Sequence, residues 1–405
     1  MIGRLGLVAL GILVAVGLGE GILRVAAAFD SRVRFLATGH ATRPEARYAT
    51  LEAFIAAQAA HITPHKPWYS YWSNRFGFHD EEFVEPKPAG RLRILAIGDS
   101  FTFAPVPYPQ GVMTLTESGL RARCGDRDLD VHNMGLMGAG APEYRIMAGL
   151  GLPRFAPDLV LVNVFVGNDP PDMHRYMRDR SPFERALRHS YLWTLGKNVV
   201  RAKGGLREIG LPARVTTAPS GTAVAPGGTP VAGARELAPD DPALIGPLLS
   251  DAAYLEVLAS DLGRFYRPRD ERAIRSAWAP TLADLDGLLR AVRGAGSRLV
   301  LAIFPSVLQV DPGLRDATVA RVATSLRYRG LSAAEIDPDL PNARLREFAE
   351  TRVIPLVDLT PAFVAARGTD PAPLYKRNDN HWTPRGNRVA ADALTAFLAP
   401  LACPR

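Results

Sequence analysis

Four short stretches of this chain hold residues that could do chemistry. Gly98-Asp99-Ser100 puts a hydroxyl where the apolar run Arg93 to Ile97 breaks off. Gly167-Asn168-Asp169 puts a side-chain amide at the end of a second run, Asp158 to Val166. Between them, Asn133 to Gly140 is rich in glycine, so backbone there can approach something closely. Near the C-terminus, Asn378-Asp379-Asn380-His381 sets an imidazole two residues after a carboxylate. A serine is a poor nucleophile until a base takes its proton, and an imidazole oriented by a carboxylate is such a base. A fixed amide can meet the negative charge that develops on a carbonyl oxygen. Each stretch alone is an ordinary turn. The chemistry depends on whether the fold brings them together.

The elements that must do so are legible as runs and periods. The stretches Arg93–Ile97, Leu129–Asn133, Asp158–Val166, Arg298–Phe304 and Val353–Asp358 read as strands. The third, almost all Val, Leu and Phe, belongs at the centre of a sheet, buried on both faces. Helical patterns lie near 111–123, 279–293 and 342–350, and a terminal helix starts at Thr383-Pro384, an N-cap followed by a first-turn proline. Strands alternating with helices predict a parallel sheet with right-handed crossovers, whose site lies at the strands' carboxyl ends. His381 then falls just before a helix N-terminus, where the positive end of the dipole favours the neutral imidazole that a base needs.

At 405 residues, 47% hydrophobic and 22% charged, the chain has the composition of a large globular domain with an insertion. Its net charge of +7 is spread without a Lys/Arg block, which argues against nucleic-acid binding. Leu5 to Gly19 is wholly apolar or Gly, and Glu20 and Arg24 form an i,i+4 pair before Val25 to Phe29. Residues 1–29 are therefore either an uncleaved membrane anchor or a signal peptide cut near Ala26-Ala27-Ala28, and both place the bulk of the chain outside the cytoplasm, in the periplasm or extracellular space. Residues 30–90 are a lead-in with Trp68, Tyr69, Tyr71, Trp72, Phe76 and Phe78, expected to pack on the domain that follows rather than to stack on sugars. His61 and His65 flank Pro64, which argues against a metal site, and nothing else in the sequence asks for a metal or cofactor. Residues 91–405 form the main domain, interrupted over about 172–275 by a helical cap containing the Pro/Gly-rich stretch 213–242.

Taken in order, the four stretches resemble the blocks of the SGNH (GDSL-like) hydrolase and acyltransferase family. The resemblance implies a flavodoxin-like three-layer α/β sandwich with strand order 2-1-3-4-5. It implies Ser100 as nucleophile, His381 as base and Asp379 as its orienting acid. It also implies an oxyanion hole from the Ser100 and Gly138 amides and the Asn168 side chain. Two departures stand out. The usual Gly-x-Asn-Asp is shortened to Gly167-Asn168-Asp169, and Asn378 occupies the position three before the histidine where most members carry the aspartate. Asp-x-His-Trp, as in Asp379 to Trp382, is similar to the form in periplasmic alginate O-acetyltransferases and related polysaccharide acetylation proteins. That implies acyl-ester or glycan substrates in the envelope, with a membrane protein as possible acyl donor. No Gly-x-Ser-x-Gly elbow is present, which disfavours the α/β-hydrolase fold.

Two functions remain open on this reading: a serine-dependent esterase or O-acyltransferase, and a non-catalytic binding or assembly subunit on the same fold. The two cysteines give a structural expectation. With strand order 2-1-3-4-5, the helices ending before Cys124 and Cys403 lie side by side and finish at the same edge, so the thiols are either bridged neighbours or an unpaired couple.

Overall fold

The computed structural model describes residues 2–38, 48–58, 67–68, 71–125, 128–178, 190–196, 244, 246–325, 328, 331–368 and 372–403. Five strands form the central sheet: β1 (Leu92–Gly98), β2 (Leu129–Gly135), β3 (Leu159–Phe165), β4 (Arg298–Phe304) and β5 (Leu356–Asp358). They pair in parallel in the order β2-β1-β3-β4-β5. Every residue of β1, β2 and β3 is buried, which is why β1 and β3 read as near-continuous apolar runs. The expected flavodoxin-like order is thus the observed one. β5 is shorter than its sequence suggests. Val353 adopts a φ of +54° and is 86% exposed, so the chain turns there and pairing starts only at Leu356.

Helix α1 is Ile2–Phe29. Around the sheet lie α2 (Val112–Arg123), α3 (Ala141–Phe155), α4 (Asp251–Phe265), α5 (Glu271–Gly294), α6 (Leu340–Thr351) and α7 (Pro384–Ala402). α2 packs along α7, and α3 along α5, covering the sheet as outer layers. A Cβ on Gly119 of α2 would stand 2.7 Å from Thr395 Oγ1 of α7, so the glycine sets how closely these two helices approach. Both end at one edge, where Cys124 and Cys403 form a disulfide with Cα atoms 5.4 Å apart.

α5 begins well before the expected 279. Asp270 caps it by accepting from the amides of Arg272 and Ala273, and Ala273, Ile274, Ala277 and Trp278 are buried. Pro280 lies inside the helix and removes one backbone hydrogen bond that this packing outweighs. Of the expected insertion, a helix at Met173–Arg178, residues 190–196 and α4 are described, and 213–242 lie outside the described residues. Leu258, Leu262 and Phe265 of α4 join the main core.

In the lead-in, Phe76, Phe78 and Phe83 are buried against Phe155 of α3 and His132 of β2, with the Phe83 and His132 rings stacked 4.1 Å apart. Pro67–Trp68 pairs with Tyr71–Trp72 as a short antiparallel ladder. Tyr69, His61, His65 and the side chains of Trp68, Tyr71 and Trp72 lie outside the described residues. The stretch Gly6–Phe29 of α1 is long and apolar enough to cross a membrane. Its Glu20 pairs with Arg24 at 2.7 Å and also accepts from Ser190 Oγ and the amides of Tyr191 and Leu192.

Candidate active site

β1 delivers Ser100 directly into a one-turn helix, Ser100–Phe103, capped by Asp99, whose carboxylate accepts from Phe101 N at 2.9 Å. Amides in the first turn of a helix have no partner four residues back, so Ser100 N–H faces outward. The turn is pressed onto the end of β2: a Cβ on Gly135 would stand 2.1 Å from Phe103 N. Two lead-in residues fasten it from behind. His79 Nδ1 lies 3.1 Å from the carbonyls of Phe103 and Ala104, and burial pushes this histidine down to about 4, so it is neutral and donates from that nitrogen. Asp80 accepts from Asn133 N at 2.7 Å and from Tyr108 Oη at 3.1 Å, while Asn133 Nδ2 donates to Thr102 O at 3.0 Å. Sequence reasoning passed over both residues. Their one signal was a charged and a titratable side chain directly behind a buried aromatic run.

The base arrives from the other end of the chain. Thr383 caps α7 by accepting from Gly386 N at 3.3 Å, and His381 sits just ahead of that cap. His381 Nε2 lies 2.8 Å from Ser100 Oγ, and His381 Nδ1 lies 2.7 Å from Asp379 Oδ1. A nitrogen facing a carboxylate carries the proton, which leaves Nε2 to accept from the serine hydroxyl. Asp379 also accepts from His381 N at 3.2 Å. Burial would raise the Asp379 carboxyl, but the His381 ring and the Lys376 ammonium outweigh it and hold the group below its ordinary value. Asn378 turns elsewhere: at φ +52° its amide donates to Leu249 O at 3.0 Å and Asp251 Oδ1 at 2.7 Å. Asn is among the few residues that tolerate this left-handed backbone.

The remaining expected residues flank this line. Gly138 is exposed with φ +75°, a conformation that favours glycine. The neighbouring amides of Leu136, Ala139 and Gly140 are taken by Gly98 O, Leu136 O and Glu143 Oε2, and among the described residues none accepts from Gly138 N. Asn168 Nδ2 donates one proton to Asp99 Oδ2 at 2.9 Å, leaving its second for an outside oxygen. Asp169 turns inward, where its Oδ2 accepts from Phe165 N at 2.9 Å and Tyr144 Oη at 2.8 Å. Burial raises Asp99 to about 6 and Asp169 well above the ordinary range, and the negative charge of Asp99 adds to the rise at Asp169. Gly167 has no room for a side chain. A Cβ there would stand 2.5 Å from the Phe165 ring and 2.7 Å from Asp261 Oδ2.

That last contact introduces a carboxylate the sequence did not single out. Asp261 of α4 is buried and accepts from Ser306 Oγ at 2.8 Å. Among the described residues there is no group of three or more His, Cys, Asp or Glu arranged to hold a metal ion.

The family described as the SGNH hydrolase-like domain of the acetyltransferase AlgX matches residues 265–403, which take in Asp379 and His381 and leave Ser100, Gly138 and Asn168 upstream. No curated protein matches the chain. Among solved structures, a catalytic mutant of Axe2, an acetylxylan esterase from Geobacillus stearothermophilus, is 12% identical with a TM-score of 0.38, over 76% of this chain and 94% of that one. The acetyl xylan esterase AlAXEase is 14% identical with a TM-score of 0.36, over 75% and 98%. A lipolytic protein of the G-D-S-L family from Desulfitobacterium hafniense DCB-2 is 12% identical with a TM-score of 0.33, over 76% and 99%. Likenesses this distant say nothing of substrate. With Gly98-Asp99-Ser100 and Gly167-Asn168-Asp169 at the ends of two parallel strands and Asp379-x-His381 just before α7, the chain is similar over residues 265–403 to the SGNH hydrolase-like domain of the acetyltransferase AlgX.

Proposed function

We propose that the chain is a serine-dependent acyl-ester hydrolase or O-acyltransferase, acetyl being the group moved, acting on an envelope or extracellular glycan. The observation that carries this reading is the unbroken line Asp379–His381–Ser100, with contacts of 2.7 and 2.8 Å. The similarity of residues 265–403 to the SGNH hydrolase-like domain of the acetyltransferase AlgX supports it. α1 anchors the chain in a membrane, with the domain in the periplasm or outside the cell.

The mechanism follows from the geometry. His381 Nε2 takes the Ser100 proton as Oγ attacks the ester carbonyl, and Asp379 stabilises the imidazolium that forms. The amides of Ser100 and Gly138 and the second proton of Asn168 meet the oxyanion, each worth about 3 kcal/mol of barrier. The intermediate collapses, His381 returns the proton to the leaving alkoxide, and the acyl group stays on Ser100. Water or a sugar hydroxyl, deprotonated by His381, then attacks the acyl-enzyme and releases acid or new ester.

The test is labelling of the full chain with a fluorophosphonate, together with turnover of an acetyl-ester chromogenic substrate with and without glycan acceptors, followed by mass analysis of both products. His381-dependent labelling of Ser100 is expected. Acetylated glycan among the products would identify the transferase. An unlabelled, folded protein that still binds glycan would be the non-catalytic assembly subunit instead.

A further inference from the structure

Two buried polar side chains join the segment that carries His381 to the segment that carries Ser100. Lys376 is 2% exposed, and its Nζ donates to Pro105 O at 2.6 Å. Asn387 of α7 is 1% exposed, and its Oδ1 accepts from Val112 N, the first amide of α2, at 3.1 Å. The two links span 271 and 275 residues of chain, close to the 281 between Ser100 and His381. Each has a local cause. A buried ammonium needs an acceptor, and the Pro105 carbonyl just past the Ser100 turn supplies one. Val112 N is an orphan first-turn donor behind Gly111, which has no side chain to cap it, so Asn387 takes that place.

Both residues are also tied to the base at their own end. Lys376 N donates to His381 O at 2.9 Å, and Lys376 O accepts from Asp379 N at 3.3 Å, which closes the loop that holds acid and base. Asn387 Nδ2 donates to Thr383 O at 3.0 Å, two residues past the histidine. On the nucleophile side, Pro105 follows Ala104, the left-handed C-cap of the Ser100–Phe103 turn.

We propose that Lys376 and Asn387 are positioning residues for the Ser100–His381 contact, two cross-links that hold the base segment against the nucleophile segment. The proposal rests on the acyl-transfer reading above. The links lie on either side of His381 in the chain, so together they resist both sliding and tilting of the imidazole relative to Oγ. Both side chains are buried and directed to backbone, so losing one misplaces the reacting atoms and costs turnover rather than substrate binding.

The test uses the full chain in detergent. Lys376→Met and Asn387→Ala are each expected to lower kcat by about 30- to 100-fold with KM within about twofold of wild type. Lys376→Cys alkylated with 2-bromoethylamine rebuilds the ammonium on a thioether, the native cysteines being bridged. With the modification confirmed by mass, kcat should recover about tenfold or more over the unalkylated variant. Independently of turnover, the His381 Nδ1 proton gives a downfield resonance, assigned by its loss in His381→Ala, which should shift or broaden in both Lys376→Met and Asn387→Ala. Folded variants with wild-type kcat, a loss carried wholly by KM, an unchanged resonance, or an alkylated protein without recovery would overturn the proposal. If wild type shows neither turnover nor Ser100 labelling, the acyl-transfer reading falls, and the resonance still decides whether the two links position His381.

Discussion

His381 Nε2 stands 2.8 Å from Ser100 Oγ although 281 residues separate them in the chain. β1 ends where the nucleophile is needed, and α7 begins just after the base, so the contact is made by the sheet's topology rather than by any local motif. Ser100→Ala is therefore expected to abolish acyl-ester turnover while leaving the melting temperature within a few degrees of wild type. Its hydroxyl serves the imidazole and little else in the fold. Retained turnover in the folded variant would remove the acyl-enzyme.

Asp379→Asn should lower kcat by about 10⁴-fold, since an amide neither fixes the correct tautomer nor stabilises the imidazolium. Asn378→Ala should cost far less, because its amide is engaged with Leu249 and Asp251 and not with the ring. Steady-state kinetics of the two variants side by side decides the assignment. A larger loss at Asn378 would reverse it.

The disulfide closes a separation of 279 residues. In the chain-entropy model a loop of that length stabilises the folded state by about 5 kcal/mol, with measured values often lower. Thiol titration of the denatured, unreduced protein should find no free cysteine. Cys403→Ser should unfold at clearly lower denaturant than wild type, and equal midpoints would show that the bridge does not form in solution.

Asp261 gives stability a pH dependence. Burial raises its carboxyl to about 7, against the opposing pull of Arg264 on the same helix, Ser306, Asn380 and His381. The folded state holds this proton more tightly than the unfolded chain, whose value is near 3.8. Its contribution to stability is therefore complete below about pH 4 and lost as pH rises through about 7. Asp261→Asn removes that loss. The melting temperature of the variant minus that of wild type should rise steadily from about pH 4 to pH 8, and a difference independent of pH would contradict the raised carboxyl.

The anchor reading predicts that the full-length protein sediments with membranes from a bacterial host and keeps Met1 or Ile2 at its terminus. N-terminal sequencing checks it, and a mature terminus near Phe29 would establish cleavage instead.

What the sequence determined by itself is what short-range physics encodes. Ile94 to Ile97 and Leu159 to Phe165 are apolar without alternation because both faces of their strands are covered, and that shows in the residues alone. Thr383-Pro384 announces a helix start because capping acts within one turn. Ser100, Asn168 and His381 were legible as residue types at the ends of such elements. Tertiary structure decided the rest. The helical pattern is expected from about 279, and only the burial of Ile274 and Trp278 carries α5 back to Glu271. Between Asn378 and Asp379, the choice of partner for His381 rests on the left-handed backbone at Asn378 and on where α4 lies. Asp80 reaches Asn133, and Asp261 reaches Ser306, across separations at which no period, cap or turn preference operates. Those contacts exist because packing the sheet's layers brings distant segments within hydrogen-bonding distance, and a buried carboxylate must find its partners there.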